Sequence, residues 1–279
     1  MKESLFLNQF RAADGVATAL ESFFRTERHN VTGLDCLQGK SSQSLVRKIC
    51  LPTVACMAIN FIFDSRVIGD KDGDIVVGDF YRITLPFHKV EPSGLPKPYD
   101  MGWRIVDPLG NTYHHAVAAF LNIFGVKVHS LHNFSGIDQL FDMIPGKKSF
   151  LALSLDNRFI LEQTLDSGEK ELLKKLYPDF GVEKGRHVVL LDGFDSGSVS
   201  VVDPFQVLKD GEPPKSKILA WNVMDKYFQY QFSGPKQALV FSQEELGFPK
   251  ENLKNIFIPE YVEKDIEVLK KRFLETQIL

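Results

Sequence analysis

"KICLPTVACMAIN", residues 48–60, decides how this chain is read. From Pro52 to Phe63 nearly every residue is apolar, with proline placed for a first helical turn and Asp64-Ser65 placed to end it. A helix that is apolar all round belongs at the centre of a protein, so the fold is expected to be built around this one. Two of the three cysteines fall in the stretch. Cys50 stands where the chain enters the helix, and there the partial positive charge and unpaired amide donors of a helix N-terminus lower a thiol's pKa and can hold an oxyanion. Cys56 sits in the second turn among Val54, Ala55, Met57 and Ala58, where a thiol is small apolar filling. Cys36, in "GLDCLQG", falls on an expected loop.

Outward from this helix, residues 14–28 carry apolar positions three and four apart and read as an amphipathic helix, and residues 33–44 read as a polar loop. Residues 74–77 and 81–86 look strand-like, and "VEPSGLPKPYDMG" after them looks like an insertion or flap. The spacing then predicts a helix over 113–124 stopped by Gly125, a strand over 126–131, a helix over 137–144, a strand over 149–155 and a charged helix centred on 170–177. "RHVVLLDGFDSGSVSVVDPF" has the signature of a hairpin, 237–242 that of another strand, and 262–276 that of an amphipathic helix. The order is helices, a helix-strand middle, then antiparallel strands, which is α+β. The expected organisation is an N-terminal helical extension (1–39), a main domain (40–245) with an insert at 64–99, and a C-terminal helical extension (246–279).

A cysteine nucleophile needs a base within hydrogen-bond reach and a third group to orient that base. The hairpin offers both. His187 opens its first strand and Asp203 closes its second; Asp195 lies midway, so antiparallel pairing should bring the two ends together. An imidazole beside a thiol gives a thiolate-imidazolium pair that reacts near neutral pH.

These residues carry a resemblance. "CLPTVACMA" resembles the nucleophile segment of the papain-like cysteine peptidases that remove double-glycine leader peptides from bacteriocin precursors, and of their stand-alone relatives, with Cys50, Pro52, Ala55 and Met57 on the matching positions. "HVVLLDGFDSGSVSVVDPF" is similar to that family's histidine strand, with His187, Asp203 and Pro204 matched, and the chain between resembles its helix-strand-helix-strand. The likeness spans roughly residues 40–242. It implies a papain-like fold with a central helix on an antiparallel sheet, a catalytic triad of Cys50, His187 and Asp203, and hydrolysis of a peptide or isopeptide bond through an acyl-enzyme without a cofactor. It also implies an oxyanion-binding glutamine before the nucleophile, with Gln43 the candidate and Gln38 a poorer one. Leu51 stands where the family has glycine, and Gln43 is one residue farther from Cys50 than the commonest spacing. Leu51 motivates a second reading, a peptidase-like module that binds peptides without cutting them; acyl transfer to an amine is a close variant of the first. The partner in each case is a peptide or protein, with the insert and the C-terminal helix as possible docking surfaces.

Composition narrows the field further. The 279 residues are 44% hydrophobic and 25% charged, ordinary for a globular protein, and 23 phenylalanines imply a core rich in aromatic packing. A net charge of −3 with interrupted basic runs gives no pull toward nucleic acid. No signal peptide or spanning stretch is read, and three cysteines make no disulfide framework, so a reducing cytoplasmic setting without membrane insertion is expected. Asp70-Lys71-Asp72-Gly73-Asp74 hints at a calcium loop, but its glycine comes too early and Tyr81 stands where the closing glutamate belongs. His114-His115 and His129/His132 lack the spacing of a zinc hydrolase, no glycine motif for phosphate is present, and "AWNVMDKYFQYQF" reads as packing, with Trp221 covering the sheet.

Overall fold

The apolar run of 52–63 becomes helix α3 (Cys50–Phe63), in which every residue except Phe61 and Phe63 is buried. It starts two residues before Pro52: Ile49 is the N-cap, and its carbonyl accepts the Thr53 N–H at 3.0 Å and the Thr53 hydroxyl at 2.7 Å. Asp64 ends the helix in the left-handed region at φ 49°. Asn60 is the polar residue this interior tolerates because its amide is fully used. Its Nδ2 donates to Leu5 O and Ile68 O, and its Oδ1 accepts from Val67 and Ile68 N–H, fixing the segments on either side of the helix.

A computed structural model describes residues 3–26, 33–69, 75–88, 103–107, 109–143, 149–176, 185–208, 213–228 and 236–276. Around α3 these form α1 (Gln9–Thr26), α2 (Ser42–Leu45), α4 (Val77–Thr84), α5 (His114–Ile123), β1 (Lys127–Leu131), α6 (Ile137–Met143), β2 (Phe150–Asp156), α7 (Ser167–Leu176), β3 (Arg186–Asp195), β4 (Ser198–Val202), β5 (Ser216–Ala220), α8 (Trp221–Phe228), β6 (Ala238–Ser242), β7 (Leu253–Lys254) and α9 (Glu260–Thr276). The strands make one antiparallel sheet in the order β5-β4-β3-β2-β6-β1-β7. The fold is α+β.

Strand alternation sorts the core into two layers. Ala152, Leu190, Val202, Leu239 and Phe241 join the core shared by α1, α3, α4 and α5, whereas Leu151, Leu153, Val189, Leu191 and Val240 pack with α6 and α8. Leu7, Ala13 and Val16 near the N-terminus, and Val262 and Ile266 of α9, belong to the same core as α3. None of the described helices is long and apolar enough to cross a membrane.

Three local expectations are corrected. Of the two strand-like runs, 81–86 is helical, as is Val77 at the end of 74–77, because Val77, Phe80, Tyr81 and Thr84 recur at helical spacing and are the buried face of α4. Asp79 Oδ2 accepts the Val76 N–H at 2.8 Å and starts that helix. The end of the expected 33–44 loop instead enters α2 (Ser42–Leu45), with Ser41 as its N-cap. The hairpin turns at Ser196-Gly197, with Gly197 at φ 96°, and Asp195 pairs with Ser198. That later turn moves Asp203 out of register with His187, and the irregularity between Leu191 and Gly193 recovers only one residue, so that Leu190 faces Val202 and Asp203 lies beyond the last pair. The 90–102 flap and the 70–74 acidic run lie outside the described residues.

One close approach depends on glycine. A Cβ on Gly78 of α4 would stand 2.6 Å from the Gly15 carbonyl oxygen of α1, so these helices meet backbone to backbone. Gly15 itself has open space around the corresponding position.

Candidate active site

Cys50 is the first residue of α3, the helical position whose backbone N–H has no partner within a helix. It retains 9% exposure. Burial of the rest of the helix fixes that position, since α3 packs on β2 and β3 and cannot turn without exposing its apolar faces.

His187 lies near the start of β3, opposite Leu155 of β2, and is 2% exposed. Its Nε2 is 2.6 Å from Asp203 Oδ1, and Cys50 lies close enough to act on the imidazole. With Nε2 given to the carboxylate, Nδ1 is the nitrogen left for the thiol. Burial opposes protonation of this imidazole, but the charge and hydrogen bond of Asp203, with Cys50 nearby, outweigh it and push His187 up to about 10. The Phe205 ring stands edge-on to the imidazole, with centroids 5.9 Å apart.

Asp203 is 5% exposed and each of its oxygens is used. Oδ1 also accepts the Phe205 N–H at 2.8 Å, and Oδ2 accepts the hydroxyl of Thr164. Thr164 is the last residue of a π-helical turn, Ile160–Thr164, that follows β2. Nothing in the sequence marks Thr164, which lies 39 positions from its partner.

The segment entering α1 ties the two halves of the site together. Gln9 N–H donates to Pro204 O at 2.9 Å and its Nε2 donates to Val46 O, linking the loop after Asp203 to the residues that lead into Cys50. Asn8 Nδ2 donates to Gln206 O at 2.8 Å, and Phe10 packs on Phe205 with ring centroids 4.7 Å apart. These contacts were invisible in the sequence because residues 8–10 and 203–206 are joined only by folding.

Gln43 lies on α2 with its side chain exposed, and Gln38 is exposed in the turns before it. Leu51 is 7% exposed and packs in the central core. Cys56 is fully buried, and desolvation drives its thiol well above the ordinary range. Cys36 is half-buried, its pKa also raised mainly by burial, and its Sγ lies 3.5 Å from Asp107 O. His114 and His115 serve packing and local hydrogen bonds: His114 pairs with Ser130 Oγ, and His115 stacks on Tyr113, meets Trp103 at a tilt and bonds Arg104 O. Among the described residues no group of three or more histidine, cysteine, aspartate and glutamate side chains could hold a metal ion.

The structure therefore brings together Cys50, His187 and Asp203, and adds Thr164, Asn8 and Gln9 around them. Chemically, a thiol on a helix N-terminus, a base beside it and a carboxylate behind the base can form and break an acyl bond. Comparison of the chain with models of known protein families, with curated proteins and with solved structures finds no match.

Proposed function

We propose that this chain is a papain-like cysteine peptidase, similar to the double-glycine leader peptidases, that hydrolyses a peptide or isopeptide bond. The observation that carries the reading is the buried His187–Asp203 hydrogen bond, with Cys50 beside His187 at the start of α3. The attacking form of the pair is the one in which His187 holds the proton and sulfur carries the charge. Sulfur attacks the substrate carbonyl carbon, and the oxyanion that forms is stabilised by the Cys50 backbone N–H; Gln43, exposed on α2, is the second donor only if its side chain turns toward the thiol. The C–N bond breaks as imidazolium gives its proton to the leaving amine, leaving a thioester. Neutral His187 then takes a proton from water, whose oxygen displaces sulfur and releases the acid. Asp203 holds the imidazole in orientation throughout and stabilises its charge. An amine in place of water at the second step would give acyl transfer from the same intermediate.

The test is covalent labelling with iodoacetamide and with a peptide vinyl sulfone, mapped by peptide mass spectrometry in the unmodified protein and in His187→Ala. The reading expects Cys50 to be alkylated at a pH well below its ordinary thiol range, the advantage to vanish in His187→Ala, and Cys56 to stay unlabelled while the protein is folded. Equal labelling of Cys50 in both proteins would remove the triad. Alkylation without any turnover of a peptide library would favour the peptide-binding module instead.

A further inference from the structure

Asp203 has two carboxylate oxygens in very different situations. Oδ1 is shared between His187 Nε2 and the Phe205 N–H, while Oδ2 is bonded to the Thr164 hydroxyl. A buried carboxylate free to turn about its last torsion would lose its alignment on the imidazole, and the Phe205 amide holds only the oxygen that the histidine already uses. Thr164 is the group that fixes the second oxygen and with it the carboxylate plane.

The hydroxyl is itself held in place. Thr164 closes a π-helical turn, in which the Leu165 N–H reaches back to Ile160 O at 2.9 Å, a local geometry that recurs at functional sites. Neighbours grip that turn from several sides. Glu162 Oε2 accepts from Lys226 Nζ at 2.6 Å and from the Tyr227 hydroxyl at 2.8 Å, Gln163 Nε2 bonds the Tyr227 hydroxyl at 3.0 Å, and Lys217 Nζ donates to Gln163 O. Phe159, Ile160 and Leu165 anchor it by burial. A threonine at the end of a strand-to-helix connection, fixed by α8 and β5 and aimed at a buried carboxylate, serves more than the connection.

We infer that Thr164 is a fourth member of the site, a positioning residue that orients Asp203 and through it His187. This rests on the triad reading above. Thr164 touches neither the thiol nor the reacting bond; its effect is on how well the His187–Asp203 pair supports the thiolate of Cys50.

The test compares Thr164→Val, which keeps the shape and removes the hydroxyl, with Thr164→Ser, which keeps the hydroxyl, and with His187→Ala. Cys50 alkylation by iodoacetamide is followed by peptide mass spectrometry at about pH 6, where an unassisted thiol is almost wholly protonated. Thr164→Val is expected to slow Cys50 labelling about tenfold, as loss of a hydrogen bond to a charged group does, and Thr164→Ser to restore it to within about twofold. The low-field proton resonance of the His187–Asp203 hydrogen bond should shift or broaden in Thr164→Val and return in Thr164→Ser. If Thr164→Val labels as fast as the unmodified protein while His187→Ala is slow, the threonine has no positioning role and the triad stands. If His187→Ala also labels as fast, the triad itself fails. Equal slowing in both Thr164 variants would overturn the inference, since it would make bulk or stability, not the hydroxyl, the cause.

Discussion

His187 Nε2 and Asp203 Oδ1 are 2.6 Å apart and both residues are buried, although Asp203 lies past the last paired residue of β4. The pair is thus made by a side chain reaching back from the loop that Gln9 and Asn8 hold in place, not by strand register. Removing one partner leaves the other buried without its charge complement. Asp203→Ala is expected to cost about 3 kcal/mol in urea denaturation and to abolish rapid Cys50 alkylation.

The same pair sets a stability profile at alkaline pH. His187 is raised from 6.5 to about 10 in the folded protein, so the native state binds its proton more tightly than the unfolded chain does. Its contribution is complete below 6.5 and is lost progressively as pH rises from there toward about 10. Melting temperatures measured across that window should fall, and His187→Gln, lower at neutral pH, should show a flatter profile.

At acid pH the decisive histidines behave in the opposite sense. Burial first, then the charges of Arg104 and His115, push His88 down to about 4, and its Nδ1 accepts the Ile105 N–H at 2.9 Å. Protonation would put a hydrogen where that bond is made. Stability from this group is complete above 6.5 and is lost as pH falls toward about 4. His88→Asn, whose amide oxygen can accept the same N–H, should lose less stability than the unmodified protein between those values. His114, also lowered to about 4 by burial, keeps part of the acid sensitivity in that variant.

The α1–α4 crossing makes two glycines behave differently. Gly78→Ala must separate the helices because its Cβ would meet the Gly15 carbonyl at 2.6 Å, and a loss of about 2 kcal/mol is expected. Gly15→Ala meets nothing within 4 Å and should raise stability by about 0.5–1 kcal/mol through helix propensity. Thermal unfolding of the two variants side by side checks both signs.

Leu51 yields a prediction on the nucleophile's own helix. Its side chain is packed in the central core, so Leu51→Gly should destabilise the protein by about 3–4 kcal/mol through cavity and helix propensity together. Cys50 alkylation in the folded variant should stay within about threefold of the unmodified rate if core packing is the residue's main role.

The sequence by itself determined the elements whose pattern is local and unambiguous. The all-apolar run of α3 reads as a central helix and the β-branched runs around Gly197 as a hairpin, and both form; the register that was to set Asp203 opposite His187 was not legible. It misled where one pattern fits two periods, as in 81–86, where a strand-like run belongs to a stretch whose apolar residues recur every three and four, and the helix wins by burying Val77, Phe80, Tyr81 and Thr84 together. Tertiary structure alone decided the rest of the site. Thr164 reaches Asp203 across 39 residues, and Gln9 bridges Val46 and Pro204 from the far end of the chain. Hydrogen bonds of this kind leave no periodicity or composition behind, because a single hydroxyl or amide is chosen by where the folded backbone carries it and not by its neighbours in sequence.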